Sequence, residues 1–210
     1  MRAWLRKMFL NTQPQNDVQV YLIAGLGNPG REHRKNRHNI GFMVVDQVAK
    51  KMGISLSRMQ SRAMLGQGFW EGRKVILVKP LTFMNLSGQA ICSLLKFYKV
   101  PAANLMVVHD DIDLSTGTLR LRPGGGSAGQ KGVASIIERL GDSNFARLRF
   151  GVGRPPGRME AADYVLHDFD AAELDVVNIA IDRAAVAIGV FISAGLEAAM
   201  NQYNGSSVKE

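Results

Sequence analysis

The chain has 210 residues, 46% of them apolar, enough to fill one α/β domain. It carries 26 Lys and Arg against 18 Asp and Glu, a net charge of +8, which favours a polyanionic partner, nucleic acid ahead of a membrane surface. No uninterrupted run of twenty apolar residues occurs, so no membrane span is expected. The lone cysteine, Cys92, excludes an internal disulfide and a cysteine-rich zinc site.

Residues 1–10 set Trp4, Leu5, Met8, Phe9 and Leu10 among Arg2, Arg6 and Lys7. That apolar run is too short for a signal-peptide core, and no small-residue cleavage site follows. An N-terminal extension and linker is expected over 1–18, with Pro14 in the linker, then a domain over 19–204 and a polar tail over 205–210. The domain opens on an apolar run, 20–24, read as a buried strand, followed by a polar loop and a helix over 40–51. The loop holds Asn28, His33, Arg37, His38 and Asn39, with two of the four histidines five positions apart. Gly25-Leu-Gly-Asn-Pro-Gly30 fits the G-x-G-x-x-G of dinucleotide sites, but Pro29 disfavours helical geometry at Asn28. The next helical pattern starts about ten residues on, and Asp46, inside it, comes too early for the ribose-binding acid.

Two strands are expected over 63–70 and 74–79 around Glu71-Gly72-Arg73, then a loop over 81–86 and a helix over 87–98. Cys92, on that helix's apolar side, is expected to be a buried, inert thiol, which favours a cytoplasmic location. Further strands follow at 105–109, 118–122 and 147–152, with a glycine-rich loop at 123–129 and a helix at 130–140. A long amphipathic helix over 171–192 carries Val177, Ile181, Ala184, Ala185, Ile188 and Ile192 on one stripe, and a shorter one follows at 196–203. The alternation predicts a single α/β domain: a mixed, mostly parallel twisted sheet with helices on both faces. The basic residues form no tail-like block. They are spread over 31–37 and over Arg120, Arg122, Lys131, Arg147, Arg149, Arg154 and Arg158, as on a basic folded face; a merely solvated basic surface is the plainer alternative.

Three expected strand ends deliver polar residues to one edge: Asn28 and His38 after the first, Asn85 after the 74–79 strand, and Asp110 just beyond the 105–109 strand. A histidine, a carboxylate to orient it and amides to grip a carbonyl would make a hydrolytic site without cysteine or metal. An isolated histidine is more often structural, and an amide such as Asn39 often caps a helix.

Gly25-Leu-Gly-Asn-Pro-Gly30, Arg37-His-Asn-x-Gly41, Thr82-Phe-Met-Asn-Leu-Ser-Gly88, His109-Asp-Asp-x-Asp113, the glycine-rich 124–132 and Arg147-Leu-Arg-Phe-Gly-Val-Gly153 follow one another in the order found in bacterial peptidyl-tRNA hydrolases. The chain resembles that family from about residue 20 to about residue 203. The resemblance implies cleavage of the ester joining a peptide to the 3′-terminal ribose of tRNA, without metal or cofactor, by a monomer in the cytoplasm. His38 matches the base that activates water, and Asp110 the carboxylate that orients it. Asn28 matches the residue that separates peptidyl-tRNA from unblocked aminoacyl-tRNA. Phe83, Met84, Asn85 and Gly129 match the substrate cleft, and Arg120, Arg122 and Arg149 match basic positions near the tRNA acceptor arm. Residues 141–144 and 155–163 correspond to a lid. The chain departs from the family at His33, expected to be a substrate-binding position where tyrosine is common, and at Gln130-Lys131-Gly132, where His-Asn-Gly is usual. Lys131 therefore stands where a substrate-binding asparagine is expected, and an ammonium donates hydrogen bonds but accepts none. At the start of a helix its charge is opposed by the dipole, so a phosphate contact is its expected role, with a donor standing in for the missing amide as the alternative. An RNA-binding module on the same fold, without hydrolysis, is the alternative; the pairing of His38 with Asp110 speaks for the enzyme.

Overall fold

The computed structural model describes residues 18–204; the expected extension, its linker and the tail lie outside the described residues. Seven strands form one sheet in the order β2-β3-β4-β1-β5-β7-β6. They are β1 (Val20–Gly25), β2 (Arg58–Gln60), β3 (Ala63–Trp70), β4 (Arg73–Pro80), β5 (Leu105–Asp111), β6 (Leu119–Arg122) and β7 (Ala146–Gly151). The central four, β4-β1-β5-β7, pair in parallel, while β2, β3 and β6 join by antiparallel ladders at the edges. β1 is buried beyond its first residue and β5 throughout, hence their near-continuous apolar runs.

Among the described residues there are six α-helices: α1 (Ile40–Met52), α2 (Ser87–Tyr98), α3 (Lys131–Leu140), α4 (Ala161–Tyr164), α5 (Leu174–Ala194) and α6 (Leu196–Tyr203). α1, α5 and α6 bury their apolar stripes against one face, with Val44, Val48, Ile188, Phe191 and Ala199 in that core. α2 and α3 cover the other face with Ile91, Leu94, Val133 and Ile136. The expected helix over 171–192 is a 3₁₀ turn, Ala171–Glu173, running into α5. By length and hydropathy the span Ala171–Ala194 could cross a bilayer, but its inner stripe is part of the core. Two elements escaped the sequence reading: β2, a three-residue edge strand, and α4, a single turn beyond a Gly/Pro-rich loop. Cys92 is half-buried rather than buried, and burial pushes its thiol up, with Arg139 opposing.

This topology decides where a site can form. The helix leaving β1 packs on one face, and those leaving β4 and following β5 pack on the other, so a crevice opens over the carboxyl ends of these parallel strands. The glycine-rich turn after β1 serves that packing. A Cβ on Gly25 would lie 2.1 Å from the carbonyl oxygen of Gly41, so strand and helix meet backbone to backbone. No helix begins at Gly27; the first turn after the loop is the 3₁₀ turn Arg37–Asn39, continuing into α1.

Candidate active site

β5 ends in three buried polar residues, His109, Asp110 and Asp111. Asp110 thus lies within the strand and not beyond it as expected, because pairing with β7 continues to Asp111–Gly151. Burying a carboxylate is costly unless its oxygens are bonded, and both are. His38 Nδ1 lies 2.8 Å from Oδ2, and Gln130 Nε2 donates to Oδ1 at 3.1 Å. Burial is the largest influence on Asp110 and pushes its pKa up. The hydrogen bond and charge of His38, then Gln130 and His109, more than offset it and hold the carboxyl below its ordinary value. With Nδ1–H given to Asp110, the neutral ring of His38 carries its lone pair on Nε2, on a cleft-lining residue.

The backbone around His38 is fixed by the chain 130 residues away. Arg37 N–H donates to His167 O at 3.0 Å and His38 N–H to Val165 O at 2.8 Å, while Asn36 forms a β-bridge with Asp168. The buried Arg37 guanidinium bonds Asp168 O and Glu173, and lies 4.4 Å from the Tyr164 ring centroid. Arg37 is therefore an anchor rather than a phosphate contact.

Asn39 occupies the N-cap position of α1 without capping it. Instead its side chain clamps Asn28: Oδ1 accepts from Asn28 N–H at 2.8 Å and Nδ2 donates to Asn28 O at 2.9 Å. Asn28 Oδ1 in turn accepts from Met84 N–H at 3.2 Å. This fixes the sense of the Asn28 amide and leaves Nδ2 without a protein partner among the described residues.

Asn28, His38, Met84, Asn85, Asp110, Gly129 and Lys131 line one cleft of about 730 Å³, with Phe83 at its rim, 71% exposed. Residues 160–162, with Val165 and Leu166, form the opposite wall, so α4 and its flanks supply the lid-like part of 155–163. Residues 141–144 do not line it; Ser143 O instead accepts from Arg147, beside the glycine-rich loop. His33 is not brought in either and lies 3.6 Å from Glu32. Gly129 is required for its backbone, at φ +80°, since nothing lies within 4 Å of where its Cβ would be. Lys131, at the first position of α3, has no hydrogen-bonding or ionic partner among the described residues.

A second pocket, about 400 Å³, shares His109, Ser127 and Ala128 with the cleft and holds Arg122, Arg147 and Arg149. Register explains it: Arg120 faces Arg149 and Arg122 faces Arg147 across the β6–β7 ladder, so all four arginines project from one face. Their states differ. Arg147 donates to Gly125 O and Gly126 O at 2.5 Å and to Ser143 O at 3.1 Å, holding the glycine-rich loop. Burial, then Arg149, lowers its pKa. Arg149 pairs with Asp111 at 2.5 Å and Arg120 bonds Asn204 O, whereas Arg122 has no protein partner among the described residues. Among the described residues, no three His, Cys, Asp or Glu gather as a metal site would require.

The sequence model of the peptidyl-tRNA hydrolase family matches residues 22–210. The chain belongs to the peptidyl-tRNA hydrolase family. It is 46% identical over 186 residues to the peptidyl-tRNA hydrolase of Caldanaerobacter subterraneus subsp. tengcongensis, covering 89% of this chain and 100% of that one. It is 44% identical over 185 residues to that of Bacillus subtilis, covering 88% and 98%. A crystal structure of peptidyl-tRNA hydrolase from Acinetobacter baumannii superposes with a TM-score of 0.85 at 36% identity, over 90% of this chain and 97% of that one.

The site of this family member includes one residue the sequence reading did not single out as functional, Gln130. Only its place beside Lys131, where the family pattern breaks, hinted at it.

Proposed function

We propose that this protein hydrolyses the ester between the peptide and the 3′-terminal ribose of peptidyl-tRNA, with His38 as base. The observation that carries the reading is the 2.8 Å contact between His38 Nδ1 and the buried Asp110, at the edge of a cleft large enough for an aminoacyl ester. Nε2 takes a proton from a water that attacks the ester carbon. The resulting imidazolium is stabilised by the Asp110 carboxylate and returns the proton to the departing 3′ oxygen, leaving a free peptide acid and tRNA.

Asn28 fits a role in selection. Its free Nδ2–H donates to a carbonyl, which the peptide bond of a blocked substrate offers and an unblocked aminoacyl ester lacks. An ammonium brings only donors and finds no acceptor there. Phe83, Met84, Asn85, Gly129 and Lys131 would contact the ester and its flanks. Arg122, helped by Arg149 and Arg120, would hold phosphates of the acceptor arm, giving affinity without reading sequence. The protein would act as a monomer, in the cytoplasm, on the acceptor arm and 3′ end.

Incubation with N-blocked and unblocked aminoacyl-tRNA tests this. Release of tRNA from the blocked substrate alone is expected. Tight binding without release would favour an RNA-binding module instead.

A further inference from the structure

Gln130 joins three parts of the site. It ends the glycine-rich loop, caps α3, and packs its buried side chain against β5 and the 3₁₀ turn Met84–Leu86. Its Oε1 accepts from Val133 N–H at 2.8 Å. Its Nε2 therefore faces Asp110 Oδ1, at 3.1 Å, and Met84 Sδ, at 3.5 Å. The amide cannot be reversed: turned over, its NH₂ would meet the Val133 N–H and its carbonyl would meet the carboxylate. Asp110 is thus held on both oxygens, by His38 on Oδ2 and by Gln130 on Oδ1. A carboxylate held this way cannot rotate about its Cβ–Cγ bond without breaking both bonds.

We infer that Gln130 is a positioning residue for the His38–Asp110 pair, fixing the carboxylate plane that presents Oδ2 to the imidazole. The inference rests on the hydrolytic reading above and assigns no substrate contact to Gln130. Other charged or titratable groups around the carboxylate come from every side: His38 from the Arg37–Asn39 turn, His109 and Asp111 on β5, Arg149 on Asp111 from β7, and Lys131 and Glu160 along the cleft. None of them donates to Oδ1; among the described residues Gln130 alone does.

The plainer role for Gln130 is helix capping, and the two roles have different requirements. A cap needs only an acceptor for Val133 N–H, whereas positioning needs a donor for Asp110. Gln130→Ser keeps an N-cap acceptor but cannot reach Asp110. Its kcat should fall roughly ten- to a hundredfold at every pH, the scale of a misplaced catalytic group, at unchanged KM, with a lower thermal midpoint because Asp110 Oδ1 loses its donor. Gln130→Glu keeps length and cap but sets a second carboxylate against the first. Two carboxylates at that distance retain one proton to higher pH. While protonated, Glu donates as Gln does; once ionised it cannot. The ratio of variant to wild-type kcat should therefore start near one in acid and fall as pH rises. Wild-type kcat in both folded variants, with the pH profile unchanged, would overturn the inference; if the glutamate variant did not fold, the serine variant alone would decide. An inactive wild type, or an active His38→Ala, would instead overturn the hydrolytic reading.

Discussion

The catalytic cleft and the arginine pocket share a wall at His109, Ser127 and Ala128, yet they dispose of their polar groups differently. Around the dyad nearly every polar atom is already bonded to protein: both oxygens of Asp110, both ends of the Gln130 and Asn39 amides, and the carbonyl end of Asn28. In the arginine pocket one guanidinium is consumed by loop carbonyls, one is shared with Asp111, and Arg122 has no partner among the described residues. Bond making needs groups fixed in advance, so that no reorganisation accompanies the developing charge. Holding a flexible polyanion needs free charge. Changes in the cleft should therefore appear in kcat, and changes in the arginine pocket in KM and its salt dependence.

The sharpest break in the cleft is His38→Ala. Turnover should fall by roughly a hundredfold or more, the scale of general acid–base catalysis, with tRNA binding unchanged. Single-turnover kinetics beside filter binding would separate the two, and near-normal turnover would end the assignment. Asp110→Asn should also slow the reaction, since the amide contributes no charge to the imidazolium and has one acceptor where two donors, His38 and Gln130, converge.

Arg122→Ala tests the other side. Removing one phosphate contact should make the slope of log affinity against log salt shallower by about one. kcat at saturation should hold. Arg149 is a poorer probe than its sequence position suggests, because truncating it also strips the buried Asp111 of its partner. A variant slope equal to the wild-type one would remove Arg122 from the tRNA interface.

The shared wall has its own signature in stability. Burial is the main cause of a lowered pKa at His109, outweighing Asp110, whose carbonyl accepts from Nδ1–H at 2.7 Å. The folded state thus binds the proton less readily than the unfolded chain. The contribution is complete above the unfolded pKa and is lost as pH falls below it toward the folded value. One proton corresponds to at most about 1.4 kcal/mol per pH unit, or a few degrees in thermal midpoint. His109→Asn should flatten the fall of the midpoint as pH drops below about 6.5; an unchanged slope would show that another group dominates.

The two regions were unequally legible in the sequence. The strands and long helices announced themselves by apolar runs and a 3.6-residue stripe, and the parallel order then placed Asn28, His38, Asn85 and Asp110 at one edge. From sequence Asp110 reads as lying beyond its strand, because buried polar residues at a strand end look like loop until their partners are seen. Those partners are tertiary. Gln130 lies 20 residues from Asp110, and Glu173 lies 136 from Arg37, separations that no local pattern records. The arginines read as interchangeable because alternation gives a face but not what else occupies it. Only the structure shows Arg147 spent on the loop and Arg122 without a partner among the described residues.

Lys131 gives the smallest and most discriminating effect, because it could belong to either region. A cation at the first position of α3 is opposed by the helix dipole, so a purely structural role is unfavourable. As a phosphate contact it should behave like Arg122; as a donor to the ester or peptide it should behave like Asn28. It lines the cleft beside Asn28 and Asn85 and does not line the arginine pocket. A planar amide carries no charge but can still donate. Lys131→Asn should therefore change kcat/KM by no more than a few-fold, on the order of one neutral hydrogen bond. The ratio of KM at two salt concentrations should equal that of the wild type. A ratio that drops as it does in Arg122→Ala would move Lys131 into the phosphate grip and extend the tRNA contact across the shared wall into the cleft.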